Sequence, residues 1–158
     1  MTHTIEKKDL SHLLDITDPF LMIDEFEVQD EGKTAKARKL IKNDEWFFDC
    51  HLPKERVMPA TLQIEGMLQT LVSLIYLTYD HGEARAFITD INVKLLSSVF
   101  PTEDIIFEAE LISHKRGITK GKVIGTCNSK TLCRGEFTYA SPSLMPTPVS
   151  GALSVKEN

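Results

Sequence analysis

Between Ala60 and Leu77 the chain reads as a helix that is apolar nearly all the way round. Leu62, Ile64, Met67, Leu68, Leu71, Val72, Leu74, Ile75 and Leu77 cannot share one stripe of a 3.6-residue helix. Such a helix is either buried in a protein or set in a membrane. Gln63, Glu65, Gln69, Thr70 and Ser73 interrupt it, and the apolar run falls short of the ~20 residues that a span needs. The expected solution is a central helix wrapped by the rest of one domain, with Pro59 in the first turn, where no N–H partner is required. No membrane insertion is expected.

The flanking sequence supplies the wrapping. Lys8 to Leu14 has the pattern of a short amphipathic helix. Phe20 to Val28 and Thr34 to Ile41 read as strands joined by the Glu31-Gly32-Lys33 turn. Asn43 to Phe48 reads as a loop with Trp46, Phe47 and Phe48 clustered on it. After the helix, Gly82 stands where a C-terminal glycine belongs. Four extended stretches then follow: Ala84 to Val99 with a bend, Ile105 to His114, Ile118 to Cys127 and Thr131 to Ala140, with turns at Pro101 to Asp104, Lys115 to Gly117 and Asn128 to Lys130. The predicted class is α+β, one long buried helix against a curved antiparallel sheet of about five or six strands. Residues 1–140 form the domain. Residues 141–158, rich in Pro, Ser and Gly, are expected to be a flexible tail.

The chain has 158 residues, enough for one good core. A formal net charge of -5 argues against nucleic acid as the partner. Cys50, Cys127 and Cys133 lack metal-ligand spacing, and no phosphate-cradling glycine loop is present, so neither a metal nor a cofactor is expected. An odd cysteine count without a basic, apolar leader fits a reducing cytoplasm.

The chemistry-bearing residues cluster just before and inside the helix. His51 lies in a Pro-flanked loop, and Glu65 is an acid within the apolar helix. A histidine that is neutral near pH 7 and a desolvated carboxyl that keeps its proton are the two parts of acid–base chemistry on a carbon acid. Taken alone, either residue has a plainer reading: a surface or hydrogen-bonding loop histidine, or a glutamate paired with Gln69 or with a buried lysine.

Cys50-His51-Leu52-Pro53-Lys54, Arg56-Val57-Met58-Pro59-Ala60 and Thr61-Leu62-Gln63-Ile64-Glu65 resemble the active-site segment of the beta-hydroxyacyl-acyl-carrier-protein dehydratases. Pro19-Phe20-Leu21-Met22-Ile23-Asp24 upstream, and the Pro101 to Asp104 and Lys115 to Gly117 turns downstream, extend the likeness from about Asp15 to Ala140. The resemblance implies the hotdog fold. It implies dehydration of 3-hydroxyacyl thioesters on acyl carrier protein to trans-2-enoyl thioesters, with His51 as base and Glu65 as acid. It also implies that Ala60 donates an N–H to the thioester carbonyl and that Gln69 supports Glu65. In that family histidine and acid meet from different subunits, so a homodimer is implied, with a trimer of dimers as the further assembly. Lys54 and Arg56 would form a basic rim for the acidic carrier, among further candidates at Lys94, Lys115, Arg116, Lys120 and Lys122. Phe20, Phe47, Phe48, Leu62, Phe87, Ile91 and Leu95 are candidates for an acyl tunnel.

Cys50, Lys54 and Ala60 stand where the family has glycine. Those departures keep two alternatives open: an acyl thioesterase of the same fold, or a catalytically inactive acyl-binding partner subunit of a specialised lipid or polyketide pathway.

Overall fold

The structure is a computed structural model that describes residues 3–80 and 85–146. Its centre is α3, Ala60–Ile75, followed by a π-helical turn at Tyr76–Asp80. Met67, Leu71, Leu74 and Ile75 are wholly buried, as the all-round apolar pattern requires. The residues at 81–84, including Gly82, lie outside the described set.

Around α3, among the described residues, runs one antiparallel sheet of seven strands: β1 (Thr4–Glu6), β2 (Glu25–Asp30), β3 (Thr34–Leu40), β4 (Phe87–Leu95), β5 (Asp104–Lys115), β6 (Ile118–Cys127) and β7 (Lys130–Ala140). Their spatial order is β1-β2-β3-β5-β6-β7-β4. The strand beyond the expected five or six is β1, only three residues long and paired with β2, with Ile5 as its one apolar side chain. α1 (Lys7–Leu14) follows it and buries Leu10 and Leu14.

Three expected boundaries move. Pairing on β2 begins at Glu25, because Phe20 and Met22 give their backbone groups to Gln69 of α3 rather than to a strand. The aromatic loop contains a short helix, α2 (Phe47–Cys50), with Phe47 and Phe48 buried and Trp46 left 41% exposed. The stretch expected from Ala84 to Val99 forms a single ladder over Phe87–Leu95.

Cys133 faces Gly125 across the β6–β7 hairpin while Cys127 faces Lys130, so the two cysteines are not opposite one another. Burial pushes the Cys133 thiol up to about 11. Past Ala140, Ser141 is fully buried and donates its N–H to Gly117, and Pro142–Leu144 form a 3-10 turn; the rest of the expected tail, from residue 147, lies outside the described set.

α3 packs on β3, β5 and β6 and barely reaches β7. β4 therefore projects beyond the helix. Its inner face, Ile88, Ile91 and Leu95, is left 37%, 47% and 44% exposed.

Candidate active site

α2 and the turn after it carry His51. Its N–H closes α2 onto Phe47 O at 2.8 Å. Its Nδ1 lies 3.2 Å from Val57 O. A carbonyl can only accept, so in the neutral ring Nδ1 holds the proton and Nε2 keeps its lone pair. Leu52 and Arg56, on either side of that turn, have φ of 45° and 51°, a backbone region that disfavours side chains. None of Cys50, Lys54 and Ala60 is among the positive-φ residues. The three positions therefore accept a side chain without backbone strain.

Glu65 lies in the second turn of α3 and is half-buried rather than enclosed. It borders a cavity of about 440 Å³ whose walls include Leu68, Val72, Tyr76, Ile88 and Tyr139. Gln69, 1% exposed, donates through Nε2 to Glu65 Oε1 at 3.0 Å and to Phe20 O at 2.9 Å. Its own oxygen accepts from Met22 N at 2.7 Å. A side chain held at three points fixes one carboxylate oxygen of Glu65 at the edge of the cavity.

Within one chain His51 does not line the cavity of Glu65. Ala60 lies in a separate cleft of about 230 Å³ at the start of α3. Lys54 is exposed, whereas Arg56 is spoken for: its guanidinium sits over the Phe48 ring at 5.0 Å and bonds to Asn43. Phe47 and Phe48 are core. Among the expected tunnel residues, Phe87 borders the Glu65 cavity and Leu95 the Ala60 cleft. Among the described residues, no group of three or more His, Cys, Asp or Glu is placed to hold a metal.

Two features escape the sequence reading. Tyr139 is buried beside the cavity and donates to Leu68 O at 3.1 Å. Burial first, then the charge of Glu65 and the nearby Tyr76, push its pKa up, so the phenol stays a proton donor. In sequence it is one more inward residue of an alternating strand. The second is Lys39, whose side chain is 4% exposed and bridges Asp24 at 3.5 Å and Glu45 at 3.3 Å. Alternation puts Lys39 on the same strand face as Ala35 and Ala37, but a lysine is ordinarily solvated, so the pattern alone does not show that its charge is buried.

Comparison with known proteins identifies the family and the fold. Residues 16–136 match the model of the FabA-like domain family. Over 123 residues the chain is 33% identical to the 3-hydroxyacyl-[acyl-carrier-protein] dehydratase FabZ of Caldicellulosiruptor bescii, covering 77% of this chain and 88% of that protein. The FabZ of Bacillus subtilis is 31% identical, again over 123 residues, with 77% and 87% covered. A mutant thioesterase from Pseudomonas aeruginosa superposes with a TM-score of 0.67 at 16% identity, over 88% of this chain and 95% of that one. The dehydratase heterocomplex ApeI:P from Xenorhabdus doucetiae also gives 0.67, at 14% identity over 84% and 90%. These likenesses speak to the fold, which is the hotdog fold.

Proposed function

Because the chain belongs to the FabA-like family, we propose that it is a hydro-lyase that removes water from 3-hydroxyacyl thioesters on acyl carrier protein, giving trans-2-enoyl thioesters. The observation that carries this reading is Glu65, a carboxyl bordering a cavity with apolar walls at Leu68, Val72 and Ile88, one of its oxygens held by Gln69. In the proposed roles Nε2 of His51 takes the proton next to the thioester carbonyl. Glu65 protonates the departing hydroxyl, and the Ala60 N–H, at the positive end of the α3 dipole, stabilises charge on the carbonyl oxygen. The acyl chain lies in the Glu65 cavity, along Leu68, Val72 and Tyr76. Lys54, exposed beside the histidine turn, is the better of the two rim residues for meeting an acidic carrier. Arg56 is tied to Asn43 and Phe48.

A second copy of the chain completes the site. His51 and Glu65 do not share a cavity within one chain, β4 is a sheet edge with no further strand beside it among the described residues, and Ile88, Ile91 and Leu95 on its inner face are exposed. Sheet edges of this kind are normally paired or covered. Pairing β4 with β4 of a homodimer partner covers both copies. Ile91→Asp should therefore yield monomers in sedimentation velocity, with loss of activity; a dimer that survives the substitution places the interface elsewhere. The same runs on the wild type show whether three dimers associate further.

No helix among the described residues is long and apolar enough to cross a membrane. Cys50, Cys127 and Cys133 are all free, which supports a reducing compartment such as the cytoplasm.

The test runs the reaction backwards. Purified protein with a crotonyl thioester on carrier protein should bleach the conjugated enoyl absorbance without releasing thiol. Thiol release instead assigns the chain to acyl hydrolysis. No change at any chain length leaves an acyl-binding partner subunit.

A further inference from the structure

The cavity beside Glu65 is polar at both ends and largely apolar between them. Glu65, Leu68 and Val72 of α3, and Tyr76 just past it, all border the cavity. They follow one another at three or four residues, so they form one stripe. At ~1.5 Å per residue that stripe runs roughly 16 Å from Glu65 to Tyr76. Glu65 and Gln69 mark the near end. The Tyr76 hydroxyl marks the far end, where it accepts from Ala86 N at 3.1 Å. Arg85, the preceding residue, therefore sits at the Tyr76 end, and it too borders the cavity. Its guanidinium bridges Asp15 at 2.8 Å and reaches Leu14 O at 3.4 Å. Asp15 is a further wall residue, and its place is fixed. It caps α1 at φ 54° with its N–H on Ser11 O, while Ser11 Oγ donates to Ile16 O at 2.7 Å. Aspartate is one of the few residues that settle in that left-handed region.

Between the ends the walls include Leu14, Leu68, Val72, Phe87 and Ile88. Tyr139 commits its O–H to Leu68 O. The far end thus gathers a phenolic hydroxyl, a guanidinium and a carboxylate beyond an apolar stretch. A methyl group that reaches it strips water from these groups and returns no hydrogen bond. A neutral oxygen can accept from Tyr76 or Arg85, and a hydroxyl can also donate to Asp15. A carboxylate would meet Arg85 but also the like charge of Asp15. We infer that the preferred substrates carry a neutral oxygen, a hydroxyl or carbonyl, near the end of an acyl chain that spans from Glu65 to Tyr76, and that Tyr76 and Arg85 recognise it. This names the substrate class within the thioester reading above and rests on that reading.

The probes are trans-2-enoyl N-acetylcysteamine thioesters of about eight to fourteen carbons, lengths that bracket a reach of roughly 16 Å. Each length is made with a methyl, a hydroxyl or a carboxyl end, and hydration is followed as loss of the enoyl absorbance. At the length that reaches Tyr76, the wild type should favour the hydroxyl end over the methyl end by about three- to tenfold in kcat/KM, the range of one net hydrogen bond at a partly solvated site. Tyr76→Phe and Arg85→Met should each lower that ratio, and the double variant should abolish it. The ratio compares two substrates on the same enzyme, so a general loss of fold or turnover cancels out of it. A wild type that favours the methyl or the carboxyl end at every length overturns the inference, as does a hydroxyl preference unchanged in the double variant. In either case hydration of the crotonyl thioester leaves the dehydratase reading intact. A wild type that hydrates no thioester overturns both.

Discussion

His51→Ala and Glu65→Gln should each lower the rate of crotonyl-thioester hydration by about two to four orders of magnitude, the usual contribution of a positioned acid or base. Neither residue holds the fold together. Among the described residues His51 makes one side-chain bond, to Val57 O, and Glu65 one, to Gln69. Both variants should therefore remain folded dimers by circular dichroism and sedimentation. The pair acts as a unit, so the double variant should lose far less than the product of the two single losses. Mixing the two single variants gives the sharper result. If His51 of one subunit works with Glu65 of the other, each mixed dimer holds one site with both residues intact and one with neither, and unfolding and refolding the mixture restores activity. If both residues of a site belong to one chain, every site in the mixture lacks one of them and nothing returns. A single variant that keeps near wild-type turnover removes its residue from the chemistry.

Much of this geometry is legible in the residues themselves, for identifiable reasons. α3 is read correctly because its apolar residues surround the helix. β5, β6 and β7 are read nearly to the residue because alternation and tight turns at Lys115 to Gly117 and Asn128 to Lys130 mark them. Gln69 is legible as a neighbour of Glu65 because residues four apart share a helix face. What is not legible depends on long-range partners. Phe20 and Met22 look like strand residues, and only the arrival of the Gln69 amide, 49 and 47 residues away in sequence, shows why they leave the ladder. The small size of β1 hides it, and α2 is hidden because three adjacent aromatics carry no period. The separation of His51 from the Glu65 cavity is a property of the whole sheet: α3 covers β3, β5 and β6 and leaves β4 bare.

Lys39→Met should destabilise the protein by about 3 kcal/mol, the lower part of the range for removing one partner from a buried ion pair. The charge sits between Asp24 and Glu45, whose side chains are 24% and 11% exposed. Once the lysine is gone, Asp24 still has Lys7 at 3.6 Å and Leu40 N, and Glu45 still has Lys42 N at 3.2 Å. Those remaining contacts place the expected loss at the low end. Urea unfolding at fixed protomer concentration measures it, as a shift of midpoint with little change in slope. Glu45→Gln added to Lys39→Met should recover part of the loss, because it removes one of the stranded charges. The same substitution should also reach the histidine turn. Glu45 O accepts from Phe48 N at 3.1 Å, Trp46 Nε1 donates to Pro19 O at 3.2 Å, and Phe47 O accepts from His51 N. Lys39 thus anchors the turn that presents His51, and Gln69 anchors the Pro19 to Asp24 segment against Glu65. A variant as stable as the wild type would mean that Asp24 and Glu45 find water or other donors at no cost, and that Lys39 holds nothing in place.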